Sequence, residues 1–180
     1  MLFLDVDGPL IPFGARLPIP GDRRGAADSS GSANPLLARL DPRDGRRLLA
    51  LGCDLVWATS WSTDANEVIA PRLGLPPLPV VAWSDAADEG PAGLHWKTRD
   101  LVAWAAGRRF VWIDDEISGA DRAWIAAHSP APALAHRVDP GSGLTAADFT
   151  AVGAWLARAG EASAIAPADP GGLRSPSRAE

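Results

Sequence analysis

Residues able to handle a phosphoryl group stand where this chain leaves apolar runs. Asp5, Asp7 and Gly8 follow Leu2-Phe3-Leu4, Thr59 and Ser60 follow Leu55-Val56-Trp57-Ala58, and Asp114 and Asp115 follow Val111-Trp112-Ile113. Lys97 opens an amphipathic stretch between the last two runs. Asp5 and Asp7 are two positions apart, so an extended chain points both carboxylates to one side. Packed carboxylates repel unless a cation lies between them. A hard Mg²⁺, held by one or two carboxylates, a backbone carbonyl and waters, is the natural occupant. Such a site suits phosphoryl transfer, where catalysis is mostly positioning and charge stabilisation. In such a site one carboxylate can attack phosphorus to form an aspartyl phosphate. The second can protonate the leaving oxygen and later activate water. The hydroxyl of Thr59, with Ser60 beside it, suits phosphoryl oxygens, and Lys97 neutralises them as a point charge. Gly8 lets backbone N–H groups approach a phosphate.

Short apolar runs alternate with amphipathic stretches, the pattern of a parallel α/β sheet. Strands are expected at Leu2–Val6, Asp54–Thr59, Phe110–Ile113 and Leu134–Val138, with a further short one at Val80–Trp83. Helices are expected at Pro42–Leu51, with Asp41 as N-cap and Pro42 in the first turn, and at Lys97–Ala106, Gly119–Ala127 and Thr145–Ala159. A short helix within Ser60–Leu73 is capped by Ser62 or Thr63 and stops near Pro71. Phe149, Val152, Trp155 and Leu156 recur at helical spacing in the last helix. Residues 8–35 hold five prolines among Gly, Ser and Asp and are expected as an irregular insert beside the site. One domain over residues 1–159 and a disordered tail over 160–180 follow. In an open parallel sheet, ligands bind outside the carboxyl ends of the strands. The polar residues above are therefore expected to meet at one edge.

Bulk composition narrows the partners. The net charge is −5, unlike a protein that tracks phosphates along a nucleic acid, so no extended nucleic-acid surface is expected. Arg39, Arg43, Arg46 and Arg47 cluster, but Asp41 and Asp44 interleave with them as on a solvated helix face. A single cysteine, Cys53, no signal-peptide pattern and no apolar run of membrane-spanning length point to a cytoplasmic protein without a membrane partner. Of the 17 basic residues, 16 are arginine and only Lys97 is lysine.

Each of these motifs is common by itself in surface turns and helix caps. Their joint placement at strand ends resembles the haloacid dehalogenase (HAD) superfamily in its phosphatase branch. Leu2-Phe3-Leu4-Asp5-Val6-Asp7-Gly8 resembles its strand followed by Asp-x-Asp, and Leu55 to Thr59 its strand ending in Thr or Ser. Lys97 resembles its lysine, and Val111 to Asp115 its acidic metal motif. The resemblance spans about residues 1–158. It implies a Rossmann-like three-layer sandwich around a central parallel sheet, with a minimal cap. It also implies Asp5 as nucleophile and Mg²⁺ ligand, and Asp7 as acid/base that gives its backbone carbonyl to the metal. Thr59 and Lys97 would bind phosphate. One of Asp114 and Asp115 would ligate Mg²⁺ directly and the other through water, with Asp115 slightly preferred.

The acid at Asp7 argues against a dehalogenase. The lack of a second lysine argues against phosphonate hydrolysis, and the lack of room for a large helical cap argues against a phosphomutase. The surroundings Trp57-Ala58-Thr59-Ser60-Trp61 are similar to HAD domains of bacterial RNA-repair proteins and polynucleotide kinase-phosphatases. The substrate is then a nucleotide, a nucleic-acid end or another small phosphomonoester. Trp61, Trp83 and Trp96 are either a stacking wall for a base or packing. Asp85, Asp88 and Glu89 would oppose a polyanion at the entrance. His95, His128 and His136 lack metal-ligand spacing, and His95 either touches substrate or begins the helix. Glu116 and Asp121 either support the site or cap a helix, with Arg122 pairing to them. The alternative function is a non-catalytic HAD module that binds a phosphorylated ligand or a partner protein.

Overall fold

The computed structural model describes residues 1–14, 34–84 and 93–164, with side chains through residue 158. Most of the insert (residues 15–33), the acidic residues Asp85, Asp88 and Glu89, and residues 165–180 lie outside the described residues.

Four strands form one parallel sheet: β1 (Leu2–Leu4), β2 (Leu55–Trp57), β3 (Phe110–Asp114) and β4 (Ala133–Arg137), in the order β2-β1-β3-β4. The three N-terminal strands are buried throughout, which explains their continuous apolar runs. The side-chain period of two sends alternate residues to opposite faces. Leu2, Leu4, Leu55, Trp57, Val111 and Ile113 pack into one core. Phe3, Val56, Phe110 and Trp112 pack into the other.

Helices cover both faces. On the first lie α1 (Pro42–Ala50), α2 (Ala70–Leu73) and α5 (Ala146–Ala164), through Leu48, Leu73 and Val152. On the second lie α3 (Thr98–Ala105) and α4 (Gly119–His128), through Leu101, Ala105 and Ile125. The result is the α/β three-layer sandwich expected from the sequence.

Local signals explain most boundaries. Asp41 caps α1 by accepting from Arg43 N at 2.9 Å, with Pro42 in the first turn. Ser118 caps α4 in a capping box with Asp121. Other boundaries depart from expectation. Val80 makes only an isolated bridge to Trp57, with Trp57 N donating to Pro79 O and Val81 N to Trp57 O. Pro71 does not stop its helix but lies in the first turn of α2, where its missing N–H costs no bond, after a π-helical turn over Ala65–Ile69. Neither Ser62 nor Thr63 caps that turn; Asp64 precedes it without a side-chain bond. Residues 160–164, read as tail, continue α5, as alanine-rich sequence favours.

Candidate active site

β1 is central, and its register sets the site. Leu4 lies opposite Trp57 on one side and Ile113 on the other. The next residues, Asp5, Ala58-Thr59 and Asp114, therefore reach one edge together. Asp5 N donates to Ile113 O at 3.1 Å and Ala58 N to Leu4 O at 2.9 Å, which pins the three chain exits. α3 begins at the same edge, with Lys97 as its N-cap residue.

Lys97 is buried between two carboxylates, its Nζ 3.0 Å from Asp5 Oδ2 and 2.8 Å from Asp114 Oδ2. Burial works against its charge, but Asp5 and Asp114 outweigh burial and hold the ammonium above its ordinary range. Asp5 is pushed up to about 7, chiefly by burial; Lys97 opposes the rise and Asp114 adds to it. Asp115 is also raised, by burial first and by Asp114 second. Ligand oxygens of Asp5, Asp114 and Asp115 lie within 4.8 Å of one another. Three buried carboxylates share one ammonium, so negative charge remains uncompensated where water is scarce. An all-oxygen set of this kind fits a hard divalent cation such as Mg²⁺.

The two adjacent aspartates differ. Asp114 Oδ2 accepts from Lys97 and from Trp112 Nε1 at 3.2 Å, and its Oδ1 accepts from Glu116 N at 2.9 Å. The Asp115 carboxylate takes no bond from another described side chain, while its backbone carbonyl accepts from Arg137 Nε at 2.8 Å. Gly8 makes room for it. A Cβ at Gly8 would stand 2.4 Å from Asp115 Cγ, and the backbone there has φ +81°. The Gly8 N–H donates to Ile11 O at 3.0 Å, so room for Asp115 is what this glycine visibly supplies.

Asp7 is placed differently from Asp5. The chain bends at Val6 after β1 ends, so the two carboxylates do not share an extended strand. The Asp7 side chain is not among the clustered ligands. Its Oδ2 instead accepts from Trp61 Nε1 at 3.0 Å. Thr59 is fully buried at the end of β2, and its Oγ1 accepts from Trp61 N at 3.3 Å. Ser60 is exposed and makes no side-chain bond among the described residues. The structure thus gathers Asp5, Lys97, Asp114 and Asp115, sets Asp7 and Thr59 beside Trp61, and leaves Ser60 outward.

Support comes from residues whose roles the sequence left open. Asp121, with no exposed surface, accepts from His95 N at 2.8 Å, Thr98 Oγ1 at 2.6 Å, Ser118 N at 2.7 Å and Ser118 Oγ at 2.6 Å. Burial opposes its charge, but these donors prevail and hold the carboxyl below its ordinary range. It ties the turn carrying Lys97 to the start of α4. Arg122, expected to pair with Glu116 or Asp121, instead donates to Ala135 O at 3.2 Å and Ser118 O at 3.3 Å. The guanidinium is drawn to backbone carbonyls because Asp121 is already saturated.

His95 lies near Asp114 and Glu116 in ligand-like proximity. Its Nδ1 accepts from Lys97 N at 3.1 Å, so the ring proton sits on Nε2, 3.0 Å from Glu116 Oε2. That tautomer leaves no lone pair for a metal. Trp83 donates to Thr59 O at 3.2 Å and meets Trp96 edge-on at 4.7 Å, and Trp96 lies 5.4 Å from Lys97 Nζ. Of the two readings of these tryptophans, the contacts are those of packing: they hold the site's own residues. Repeated Trp beside motif residues was the signal for this. A groove of about 590 Å³ lies elsewhere, between α4 and β4, with Arg122 as the only charged group lining it among the described residues. Charge rather than cavity size marks the site in this molecule.

No described helix is long and apolar enough to cross a membrane. No curated protein and no solved structure matches the chain. Residues 1–149 match the family described as the HAD domain in Swiss Army Knife RNA repair proteins. With its parallel sheet, its Asp5 and Asp114-Asp115 at strand ends and its Lys97 at the start of α3, the chain belongs to this family of HAD domains.

Proposed function

We propose that the protein is a Mg²⁺-dependent phosphatase that hydrolyses phosphomonoesters through an aspartyl phosphate on Asp5. The observation that carries this is the buried Lys97 Nζ bridging Asp5 and Asp114, with Asp115 beside them, at the carboxyl end of the central strand. Asp5 is the attacking carboxylate, and Lys97 favours its ionised form. Asp5, Asp114 and Asp115 are the side chains that would hold Mg²⁺, with Asp115 as the readiest direct ligand because Asp114 is already engaged. When bound, the ion supplies positive charge that offsets these carboxylates and the phosphoryl oxygens. Thr59 and Lys97 orient the phosphoryl group. Asp7 gives a proton to the leaving oxygen and later takes one from water.

The substrate we propose is a nucleotide or a nucleic-acid end carrying a phosphate. The family's description as a domain of RNA repair proteins supports this. So do Trp83 and Trp96, which are half-buried and meet edge-on, with the Trp96 ring 5.4 Å from Lys97 Nζ. Mass spectrometry of acid-quenched protein mixed with Mg²⁺ and a phosphomonoester tests the intermediate. A phosphoryl group on the peptide containing Asp5 is expected, and a turning-over enzyme whose label maps to another residue contradicts the assignment.

A further inference from the structure

We propose that Trp61 is the positioning residue for Asp7 and decides which oxygen of Asp7 exchanges a proton with substrate. This rests on the phosphatase reading above. Because the chain bends at Val6, Asp7 leaves the strand and stands half-buried outside the carboxylate cluster. A side chain so placed has several rotamers open to it, yet an acid/base group works only within reach of its proton. One contact supplies the hold. Trp61 Nε1 donates to Asp7 Oδ2 at 3.0 Å across 54 positions of sequence. Among the described residues no other hydrogen bond reaches that carboxylate.

Trp61 is itself held. Its backbone N–H donates to Thr59 Oγ1 at 3.3 Å, and its ring packs against the larger core. The next residue, Ser62, sits at φ 50°, a left-handed conformation that a non-glycine residue keeps only where its surroundings impose it. One residue thus links the proposed acid/base to the proposed phosphate-binding hydroxyl.

The indole N–H only donates, so Asp7 Oδ2 remains an acceptor in both protonation states. The exchanging proton belongs to Oδ1. In the first half-reaction the Asp5–phosphorus bond forms and the bond from phosphorus to the leaving oxygen breaks. The proton on Asp7 Oδ1 passes to that oxygen. In the second, a water oxygen bonds to phosphorus, the Asp5–phosphorus bond breaks, and the water proton passes to Asp7 Oδ1. Both aspartates return to their starting forms.

Trp61→Phe keeps a ring in place and removes the N–H. With Mg²⁺ present, kcat/KM toward a nucleoside monophosphate, whose alkoxide needs the proton, is expected to fall about 10-fold or more. Toward p-nitrophenyl phosphate, whose phenolate departs unaided, the loss is expected to stay under about 3-fold. Asp7→Asn should show the same asymmetry, and adding Trp61→Phe to it should cost nothing further on the nucleoside monophosphate. Equal losses on both substrates, or no loss on either, overturn the role of Trp61 while the phosphatase reading stands. Wild-type protein inert toward both overturns the phosphatase reading and this role together. Should Trp61→Phe unfold, the indole N–H signals of the 8 tryptophans carry the question in Asp7→Ala. One signal moving upfield supports the bond, and none moving overturns it.

Discussion

Lys97 is the only lysine among 17 basic residues, and its surroundings give a physical reason. The ammonium reaches Asp5 and Asp114 at 3.0 and 2.8 Å from a side chain that is 5% exposed. A guanidinium is wider and planar, so a substitution of lysine by arginine here is not conservative. Lys97→Arg is expected to lower kcat/KM about 100-fold or more while its melting temperature moves little. Turnover near wild type would show the lysine to be an accident of composition. The types at Asp5, Lys97 and Asp114-Asp115 were legible because each follows an apolar run or opens a helix. The separation of Asp7 from Asp5 was not. It depends on the bend at Val6 and on an indole 54 positions away, and no local pattern encodes either.

At the scale of elements, buried polar contacts and close backbone approaches hold the sheet edge in shape. Asp121 joins α3 to α4 with four donors and no cationic partner. Asp121→Asn places an amide donor against other donors and should destabilise the fold by about 1–3 kcal/mol near neutral pH. The native carboxyl titrates below its ordinary value, so its contribution is fully present above the unfolded carboxylate pKa. That contribution fades as pH falls through the lower native value. Urea unfolding of wild type and variant should therefore differ at neutral pH and converge in acid.

Gly45 makes a second such contact. A Cβ there would stand 1.8 Å from Leu73 O, at the packing of α1 on α2. Helix propensity alone would favour alanine by about 1 kcal/mol. A backbone carbonyl cannot yield that distance, so Gly45→Ala should instead lose about 1–3 kcal/mol, read as a lower urea midpoint. The cap of α1, the apolar spacing of α3 and the strand runs made these elements legible. The π-helical turn before α2 and the lone bridge at Val80 were not, because tertiary packing rather than local propensity sets them.

Across the whole molecule, the parallel order β2-β1-β3-β4 turns scattered residues into one charged edge. The electrostatics there couple folding to protons, and a bound cation would join that coupling. Burial pushes Asp5 up to about 7, so the native state binds its proton more tightly than the unfolded chain. Between the unfolded carboxylate value and about 7, this group makes metal-free stability fall as pH rises. A cation must displace that proton, so Mg²⁺ should raise the melting temperature more at about pH 8 than at about pH 6. An equal rise at both would mean that the ion binds away from Asp5. The overall architecture was legible because alternation and composition act over the whole chain. The setting of the indoles around Lys97 was not, because it depends on a contact between Trp83 and Trp96 that no local pattern fixes. Phosphate release from nucleotides, phosphorylated oligonucleotides and sugar phosphates, by wild type and Asp5→Asn with Mg²⁺ or EDTA, tests the central claim most directly. Release by wild type with Mg²⁺ that both EDTA and Asp5→Asn abolish is predicted. A wild type inert across that panel, or an Asp5→Asn protein that still turns over, would contradict it.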